Sequence, residues 1–547
     1  SLPLARHLLP LMRSYRLGAV CNYYKIPYNA EEAHRADYDA DVLGQAFNAM
    51  IEDLKKRNVV NVDQLNSLPM EDDYKHAFGY HLTALAKNHD GLKNMFKIVS
   101  EANTKYFYRS DRIPRSRLEY YHDGLLYGSS CLNSRVFDVA ATRNEEELRQ
   151  EIDFYDYIEI QPLVDAQYLV ERGKFESLDD IERIYQRIIK VAKEAGKIIV
   201  ATGDVHFLHK RDKVFREIFT SNEKIQIGGR PHPLLVRGNP TALTPDCYLR
   251  TTEEMLQLFP YLSAEETYEY VVTNTNRIAD MIEDNIQVVK DKLYPPHIEN
   301  VDQKFKDLCY NTAHATYGDP LPQIVQERLD FEVENIIKHG YAVIYYISAL
   351  LVHASNDDGY LVGSRGSVGS SFAATMSGIS EVNPLPPHYH CPNCQHTEFT
   401  DEVANGFDLP DKACPVCGAH MKGDGHNIPF QTFLGFNGDK VPDIDLNFSG
   451  EYQPKAHEFV RKMFGSDHAF RAGTIATVAD KTAYGYALSY AERLGKEDSM
   501  RGAEIQRLAD GCTGVKRTTG QHPAGIIVIP DDMEVFDFTP YQYPADD

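Results

Sequence analysis

The sequence predicts a multidomain protein of the α/β class, and three observations support this. The chain has 547 residues, more than one ordinary hydrophobic core organises, so we expect three or more modules. Hydrophobic residues make up 43% of it and charged residues 25%, a balance typical of globular chains. Between residues 154 and 207 a helical pattern separates two strand-like stretches, which is the order of a parallel sheet covered by helices.

Composition also narrows the function classes. The net charge of -23 argues against a uniformly basic surface for nucleic acids, although residues 455–517 contain 11 Lys and Arg against 8 Asp and Glu. The sequence has no apolar stretch of about 18 residues and no signal pattern at its start, so we expect a cytoplasmic protein without a membrane partner. Nine cysteines, four of them in two tight pairs, favour a metal site in a reducing compartment over a disulfide framework.

Two polar connections rich in Pro, Gly and charged residues predict the module boundaries. SLPMEDDYKHAFG at 67–79 and KDKLYPPHIENVDQ at 290–303 place them near residues 70 and 295.

The segment between these boundaries alternates strand and helix patterns. Stretches 154–162 and 197–207 are typical of buried strands. A capping box at Ser177 to Asp180 predicts the start of the helix between them, and Gly196 predicts its end. The apolar residues that recur on one face of this helix are Ile181, Ile184, Ile188 and Val191. In an α/β barrel or a doubly wound sheet, sites lie at the carboxyl ends of such strands.

Asp204 and His206 follow the second of these strands, and Asp/His pairs suit Mn, Fe or Zn. His81 and Cys131 lie in polar breaks of the same segment. Each residue alone is more often packed or solvated than a ligand. That the four share one site is therefore a hypothesis.

Residues 357–378, DDGYLVGSRGSVGSSFAATMSG, predict a phosphate cradle. A strand, YLV, leads into a Gly and Ser loop, and a helix-compatible FAATM follows. Backbone amides and the Arg365 guanidinium would meet near a helix N-terminus, together with the hydroxyls of Ser364, Ser367, Ser370 and Ser371. The Gly-Lys-Ser/Thr ending of a P-loop is absent. A flexible linker is the alternative, which the strand and helix patterns on both sides of the glycines disfavour.

Two C-x-x-C knuckles form the strongest metal motif. Cys391 and Cys394 are followed, after 19 residues, by Cys414 and Cys417. This spacing is typical of a structural Zn²⁺ ribbon with four thiolates and no open position. The role of such a site would be in folding and not in chemistry, and redox dithiols are the alternative.

The stretch VPDIDLNFSG at 441–450 places Asp443 and Asp445 two positions apart. In a strand both carboxylates would project from one face, about 6.6 Å apart along the chain. Such a pair is costly without a cation, and carboxylates that share two divalent ions are usual in nucleotidyl transfer. Alone, the pattern favours a solvated turn after Pro442, but the neighbouring phosphate cradle favours a catalytic pair.

The order of these motifs resembles a known family over essentially the whole chain. GSRGSVGSSF, the two knuckles, FLGFNGDKVPDIDLNFSGEYQPKAH, AGTIATVADKTAYG and GVKRTTGQHPAGIIVIP are similar to the C-family bacterial replicative DNA polymerases of PolC type. The resemblance implies that Asp443 and Asp445 are palm carboxylates that bind catalytic Mg²⁺ or Mn²⁺. It also implies a nucleotide triphosphate site formed by Gly363, Ser364, Arg365, Gly366 and Ser367, with Lys481 and Arg517 near the incoming nucleotide or the template-primer.

The resemblance extends to the other modules. His81, Cys131, Asp204 and His206 resemble later metal ligands of the family's PHP domain, whose earlier H-x-H and D-H motifs are absent here. AHRADYDADV at 33–42 fits the last motif, H-x-A-x-x-D, of DnaQ-like 3′-to-5′ exonucleases. His34 would then be a general base and Asp39 a metal ligand. An exposed polar helix start is the alternative for this motif.

The implied architecture has three parts. Residues 1–66 are expected to be the tail of a DnaQ-like, RNase H-like exonuclease, and residues 67–294 the second part of a PHP domain, a distorted α/β barrel. Residues 295–547 are expected to hold a palm related to Pol beta-like nucleotidyltransferases, with a thumb and a zinc-binding insert at 388–420.

The family's third palm aspartate follows in a K-x-D-x-L-G-like stretch, so the chain is expected to be an internal fragment, inactive alone. The resemblance implies a sliding clamp and other replisome proteins as partners. Two other functions stay open: a metal-dependent phosphoesterase of the PHP type, and a zinc-ribbon binding module without chemistry.

Overall fold

The computed structural model of the chain describes residues 14–544 with short gaps, together with residues 4, 5, 8, 9 and 12. The gaps are residues 34, 62–63, 65–74, 76, 224, 228–229, 236–238, 240 and 436–439.

The helices of the described residues are, in chain order, α1 (Leu17–Tyr23), α2 (Ala36–Lys56), α3 (His89–Asn103), α4 (Arg115–Tyr120), α5 (Arg135–Thr142), α6 (Glu145–Asp153), α7 (Gln167–Glu171), α8 (Leu178–Glu194), α9 (Lys213–Thr220), α10 (Thr252–Leu256), α11 (Ala264–Tyr268), α12 (Asn274–Ala279), α13 (Val301–Tyr317), α14 (Gln323–Lys338), α15 (Ala342–Asp357), α16 (Phe372–Met376), α17 (Gln431–Leu434), α18 (Gln453–Phe464), α19 (Asp480–Arg493) and α20 (Gly502–Cys512). The strands within these same ranges are β1 (Thr83–Ala86), β2 (Leu125–Gly128), β3 (Tyr157–Ile160), β4 (Ile198–Ala201), β5 (Gln226–Ile227), β6 (Arg230–Pro231), β7 (Gly363–Arg365), β8 (His388–His390), β9 (Thr397–Phe399), β10 (Lys422–Asp424), β11 (Asp445–Asn447), β12 (Ala469–Thr477) and β13 (Lys516–Val528).

The chain forms two compact units, and neither is continuous in sequence. Unit 1 comprises Ser1–Val288, Ile475–Thr519 and Thr539–Asp547, and unit 2 comprises Val289–Thr474 and Gly520–Phe538. The first junction lies close to the boundary that we predict near residue 295. The module limits 1–66, 67–294 and 295–547 stay predictions.

Unit 1 is built around a four-stranded sheet with the order β1-β2-β3-β4. β1 runs antiparallel to β2, whereas β2, β3 and β4 are parallel. Within the described residues the sheet is open, with β1 and β4 at its edges. Tyr127, Ile158 and Ile199 of the sheet share one buried core with Ile181 and Ile188 of α8. The predicted α/β order is therefore confirmed for this segment.

The helix predicted from the capping box is confirmed as α8. Ser177 and Asp180 form the box, and Gly196 follows the helix end with a φ of 67° that suits glycine. The strands on either side are shorter than predicted, since β3 and β4 contain four residues each. β4 ends at Ala201, and Asp204, three residues later, has a φ of 44°.

Two further clusters belong to unit 1. α1 and α2 share a small core that includes Val20, Cys21 and Ala46. α9 packs with α19 and α20, two helices that follow each other in the sequence. Ile218, Ala487 and Leu508 of these helices are buried together. Residues 480–512 thus contribute to the same unit as the four-stranded sheet.

The core of unit 2 is mainly helical. α13, α14, α15 and α16 bury Phe305, Leu329, Tyr345 and Phe372 together. The antiparallel pair of β7 and β11 lies beside this core, because Leu446 of β11 packs against it. A three-stranded antiparallel sheet with the order β10-β8-β9 carries the first cysteine knuckle after β8.

Within the described residues, no single helix is long and apolar enough to cross a membrane. One pair, α14 with α15, meets the length and composition test only jointly, and its axes are bent by 112°.

Candidate active site and metal centres

Asp443 and Asp445 are exposed at the edge of unit 2. Ile444 and Leu446, which alternate with them, pack against the helical core. The alternation expected from the sequence is therefore present, with an open acidic face and a packed apolar face. Only Asp445 lies within β11, and Asp443 precedes the strand.

β11 pairs antiparallel with β7, the start of the Gly and Ser loop. Asp445 stands opposite Arg365, and Leu446 stands opposite Ser364. Directly opposed residues in an antiparallel pair project from the same face of the sheet. The carboxylate motif and the Gly/Ser/Arg motif, 80 residues apart for this pair of partners, are thereby brought together.

The strand that leads into this loop begins later than predicted. β7 covers Gly363–Arg365, whereas Leu361 of the predicted YLV strand is 89% exposed. Tyr360 packs on Tyr452, with ring centroids 5.2 Å apart. The prediction of a buried strand at YLV is therefore wrong.

The loop itself is a 3-10 turn, Gly366–Ser370, that leads into α16. Gly366 has a φ of 80°, and a Cβ there would meet no atom within 4 Å, so the backbone is open to solvent at this point. Ser371 caps α16, because its Oγ accepts a hydrogen bond from the Ala374 N–H at 3.2 Å. The helix that the sequence predicts after the glycines is confirmed.

A buried ion pair on α14 contacts the end of this loop. Glu332 is completely buried and pairs with Arg328 one helical turn away. The Glu332 carboxylate accepts hydrogen bonds from the Ser371 hydroxyl at 3.0 Å and the Ala373 N–H at 2.9 Å. Burial raises the pKa of Glu332, and the adjacent Arg328 opposes that shift. Sequence reasoning missed both residues, since an Arg and a Glu four apart on a helix are commonplace.

Ser364 has an acidic neighbour that sequence reasoning also missed. Its Oγ lies 2.9 Å from the Ser380 Oγ and donates to Glu381 at 3.2 Å. Glu381 is exposed and follows α16 in the chain. The side of the loop that faces Glu381 is therefore acidic, in contrast to the Arg365 side.

Lys481 and Arg517 belong to unit 1, and both are exposed. Lys481 lies in the first turn of α19, and Arg517 is the second residue of β13. Asp443, Asp445 and the Gly and Ser loop belong to unit 2.

The four knuckle cysteines converge as predicted from their spacing. Their sulfur atoms all lie within 4.8 Å of one another. The Cys391 and Cys417 sulfurs are 3.5 Å apart, as are those of Cys394 and Cys414. Four sulfurs at these separations form a set that could hold one metal ion in tetrahedral geometry.

Both knuckles have the same backbone turn. The N–H of Gln395 donates to the Cys391 carbonyl, and the N–H of Gly418 donates to the Cys414 carbonyl, each at 2.9 Å. Gln395 and Gly418 have φ values of 61° and 76°. Each turn therefore directs its two cysteines toward the same point. The pKa of the Cys417 thiol is lowered to about 6, chiefly by a hydrogen bond with the Asn393 side chain.

The four residues that we relate to a PHP site lie in one neighbourhood of unit 1. His81 Nδ1 is 3.3 Å from the Cys131 sulfur. Asp204 is close enough to both His81 and His206 that their charges lower its pKa. Burial is the larger effect, however, and it raises the pKa of Asp204.

One further candidate ligand in this neighbourhood, Cys247, was not predicted. Ligand atoms of Asp204, His206 and Cys247 all lie within 4.8 Å of one another. The Cys247 carbonyl accepts a hydrogen bond from the His206 N–H at 2.8 Å, which holds the two segments side by side. A lone cysteine outside any motif does not indicate this proximity, which depends on long-range pairing.

A buried ion pair fixes the segment that carries Cys247. Arg250 donates to the Asp165 carboxylate at 2.6 and 2.8 Å, and both side chains are almost completely buried. Lys213 binds Asp246 at 2.6 Å on the other side of the cysteine. Cys247 is thereby held between two ion pairs.

Known proteins similar to this chain are named DNA polymerase III PolC-type. The protein of Lacticaseibacillus paracasei is 51% identical over 551 residues, which cover 100% of this chain and 37% of the relative. The protein of Bacillus subtilis is 49% identical over 550 residues, with the same coverage of both chains. The chain belongs to the family of PolC-type DNA polymerases III. It spans about 37% of the length of these curated relatives.

Two domain families match parts of this PolC-type chain. The family described as "Bacterial DNA polymerase III alpha NTPase domain" matches residues 303–499 and 492–547. These ranges contain the Gly and Ser loop, the knuckles and both aspartates. The PHP domain family matches residues 29–162, which include His81 and Cys131. The polymerase and PHP identities expected from the motifs are confirmed at this level.

The structure describes only part of the stretch that we predict to be an exonuclease motif. His34 lies outside the described residues. Asp39 lies in the first turn of α2 and is partly exposed. The helix start is consistent with both interpretations of the motif, so the roles of His34 and Asp39 stay predictions.

Proposed function

We propose that this chain supplies the nucleotide-binding loop and two catalytic carboxylates of a template-directed DNA polymerase that acts in chromosomal replication. The pairing of β7 with β11 carries the proposal, because it places Asp445 opposite Arg365 on one open face. A solvated turn would have no reason to pair with a Gly/Ser/Arg loop. The family membership of the chain supports the same conclusion.

In this proposal each motif has a separate task. Asp443 and Asp445 would hold Mg²⁺ or Mn²⁺, which when bound stabilises the attacking and leaving oxygens of the transfer. The loop residues would orient the triphosphate of a deoxynucleoside triphosphate through amides, hydroxyls and the Arg365 guanidinium, and they are Gly363, Ser364, Arg365, Gly366 and Ser367. Lys481 and Arg517, both exposed cations, would contact the incoming nucleotide or the DNA template-primer.

The four cysteines are proposed to bind one structural Zn²⁺. Four thiolates that leave no open coordination position match zinc better than Mg²⁺ or Ca²⁺, which prefer oxygen ligands. The ribbon between residues 388 and 420 would then depend on the metal for its fold.

A metal-dependent phosphoesterase of the PHP type is the second candidate function. It is supported by the convergence of Asp204, His206 and Cys247, beside the close pair of His81 and Cys131. Their mixture of carboxylate, imidazole and thiolate favours Zn²⁺, Mn²⁺ or Fe²⁺ over Mg²⁺.

Further parts of the proposal depend on the family and not on described geometry. His34 and Asp39 would act in a 3′-to-5′ proofreading exonuclease of DnaQ type, related to RNase H. A sliding clamp and other replisome proteins would be partners of the full-length polymerase in the cytoplasm. Palm and thumb assignments within residues 295–547 belong to the same proposal.

The test is primer extension by a polymerase of the relatives' length that contains this chain, with Asp443→Asn and Asp445→Asn. Each change removes one charge and nearly keeps the side-chain volume. We expect each to lower kcat by at least about a hundredfold, or roughly 3 kcal/mol, while the melting temperature and duplex binding stay near the parent values.

Asp467→Asn is the matched control, because Asp467 is an exposed aspartate of the same unit outside the site. It should extend primers at the parent rate. If either site variant extended primers normally and melted earlier, the aspartates would belong to a structural turn and the proposal would fail.

A further inference from the structure

We propose that Arg328 and Glu332 are positioning residues that hold the Gly and Ser loop in the conformation that binds the nucleotide triphosphate. This inference rests on the proposed polymerase function and adds two residues to its site. Neither side chain lies in the loop or in the carboxylate motif, and both are on α14.

The two side chains contact the loop end at three points. Arg328 Nη2 donates to the carbonyl of Ser370 at 2.8 Å. Ser370 is the last residue of the 3-10 turn. Glu332 accepts from the hydroxyl of Ser371 and from the N–H of Ala373. The junction between the loop and α16 is therefore fixed from one side by a single ion pair.

The Ser371 hydroxyl makes every hydrogen bond that it can. It donates to Glu332, and it accepts from the Ala374 N–H and from the Tyr345 hydroxyl, the latter at 3.0 Å. A hydroxyl has one donor and two acceptor positions, so this group has a single orientation. That orientation exists only while Glu332 is present to accept.

The same network reaches back into the turn. The Ser370 hydroxyl donates to the Ser367 carbonyl at 2.6 Å, while its own carbonyl accepts from Arg328. Ser367 is one of the residues that the proposed function assigns to the triphosphate. Arg328 also donates to the carbonyl of Ile428 at 3.0 Å, which ties the turn to the segment before α17.

An ion pair is an expensive way to achieve stability alone. The buried Glu332 and the partly buried Arg328 both lose hydration, and well-packed apolar side chains of similar volume are often as stabilising. Three hydrogen bonds to the end of a loop, in contrast, require an acceptor and a planar donor in fixed positions. The pair is also neutral as a whole, so it adds no repulsion near a bound triphosphate.

The decisive variant replaces both charges together, as Arg328→Met with Glu332→Leu, in a polymerase of the relatives' length. Removing both partners leaves no unpaired buried charge, but the Ser370 carbonyl and the Ala373 N–H lose their partners, so we expect a folded protein with a lowered melting temperature. Because the loop loses its anchors, we expect the KM for deoxynucleoside triphosphates to rise by about tenfold or more, with kcat changed by less than about threefold.

The control makes the same two substitutions at another ion pair, as Arg117→Met with Glu101→Leu. Arg117 and Glu101 are linked at 2.6 Å and are partly buried, but they belong to unit 1 and do not contact the loop. This variant should alter stability by a similar amount and leave the KM unchanged. Its KM separates a positioning effect from a general loss of packing.

Arg365→Ala distinguishes the positioning role of Arg328 and Glu332 from the proposed binding of the triphosphate by the loop. If it raises the KM while the folded double variant does not, the positioning role is wrong and the proposed function stands. If Arg365→Ala itself leaves the KM unchanged, the loop does not bind the triphosphate and both proposals fail.

Glu332→Gln provides the test if the double variant does not fold. The amide keeps the shape of Glu332 but ends the ion pair, so we expect the KM to rise by about threefold or more. In the 547-residue chain it should also speed hydrogen exchange in peptides covering residues 363–371. Parent-like exchange and KM for Glu332→Gln would overturn the inference.

Discussion

At the scale of single residues, Arg365 and Asp445 show how opposite charges share one face without cancelling. They stand opposite each other on β7 and β11, and both are exposed. Among the described contacts no hydrogen bond or ion pair joins them. A guanidinium that is not held by a carboxylate is free to bind a phosphate, and the carboxylate is free to bind a cation.

Arg365→Ala should therefore weaken nucleotide binding more than turnover. Loss of a charge-assisted hydrogen bond of about 1.5 to 3 kcal/mol predicts a rise in KM of roughly tenfold to a hundredfold with a smaller change in kcat. Steady-state primer extension with varied nucleotide concentration measures both. Arg461→Ala, an exposed arginine of α18, is the control and should leave both constants unchanged.

His388 is a buried residue whose hydrogen bonds favour the neutral imidazole. Its Nδ1 donates to the Pro386 carbonyl at 2.8 Å, and its Nε2 accepts from the Tyr317 hydroxyl at 3.1 Å. That hydroxyl in turn accepts from Asn383 at 2.8 Å, so its proton is directed at His388. Burial lowers the pKa of His388, because removing the ring from water disfavours its charged form.

The stability of unit 2 should therefore fall as the pH drops below about 6.5, where the unfolded histidine takes up a proton and the folded one does not. The loss is at most about 1.4 kcal/mol per pH unit from this group. His388→Gln keeps a donor and an acceptor without titrating. Urea unfolding at pH 7 and pH 5 should give a flatter pH dependence for the variant, and equal slopes would contradict the prediction.

At the scale of elements, the knuckles are the clearest candidate for a metal site. If Cys391, Cys394, Cys414 and Cys417 bind one ion, the purified chain should contain about one zinc per molecule by elemental analysis. Cys391→Ser should release it and speed hydrogen exchange across residues 388–420. Cys309→Ser is the control, since Cys309 is buried in α13 away from the knuckles. If the purified parent chain contained no zinc, the prediction of a zinc site at the knuckles would be wrong.

Local elements were predictable where their determinants are local. The capping box of α8 and the knuckle turns are set by residues a few positions apart, and the structure has both. YLV failed as a strand because an apolar triplet does not reveal whether it has a partner. Leu361 finds none and stays exposed, while β7 forms from the glycine and serine that β11 pairs with.

The site was predictable in part for the same reason. Asp443, Asp445 and the Gly and Ser loop are contiguous motifs whose chemistry is visible in the residues themselves. Glu332 and Cys247 carry no such pattern, because their neighbours in the fold are far away in sequence. Ser371 is 39 residues from Glu332, and His206 is 41 residues from Cys247. Only the fold brings Glu332 to Ser371 or Cys247 to His206.

At the scale of the whole molecule, the discontinuous composition of unit 1 was not predictable from the sequence. α20 joins a unit whose sheet is formed some 300 residues earlier, because α9 offers it an apolar face. The contact is closest at Gly511, where an added Cβ would lie 2.1 Å from the Phe215 ring. The packing of α20 against α9 therefore requires a residue without a Cβ at position 511.

Gly511→Ala should destabilise unit 1, although alanine is the better helix former by about 1 kcal/mol. Forcing a methyl group against the Phe215 ring is expected to cost about 1 to 3 kcal/mol beyond that gain. Gly502→Ala on the same helix is the control, since a Cβ there meets nothing within 4 Å, and it should be neutral or stabilising. Combining Gly511→Ala with Phe215→Ala should cost less than the sum of the two single changes in urea unfolding, because the clash is relieved. Equal stability of the Gly511 and Gly502 variants would show that residues 502–512 do not pack against α9.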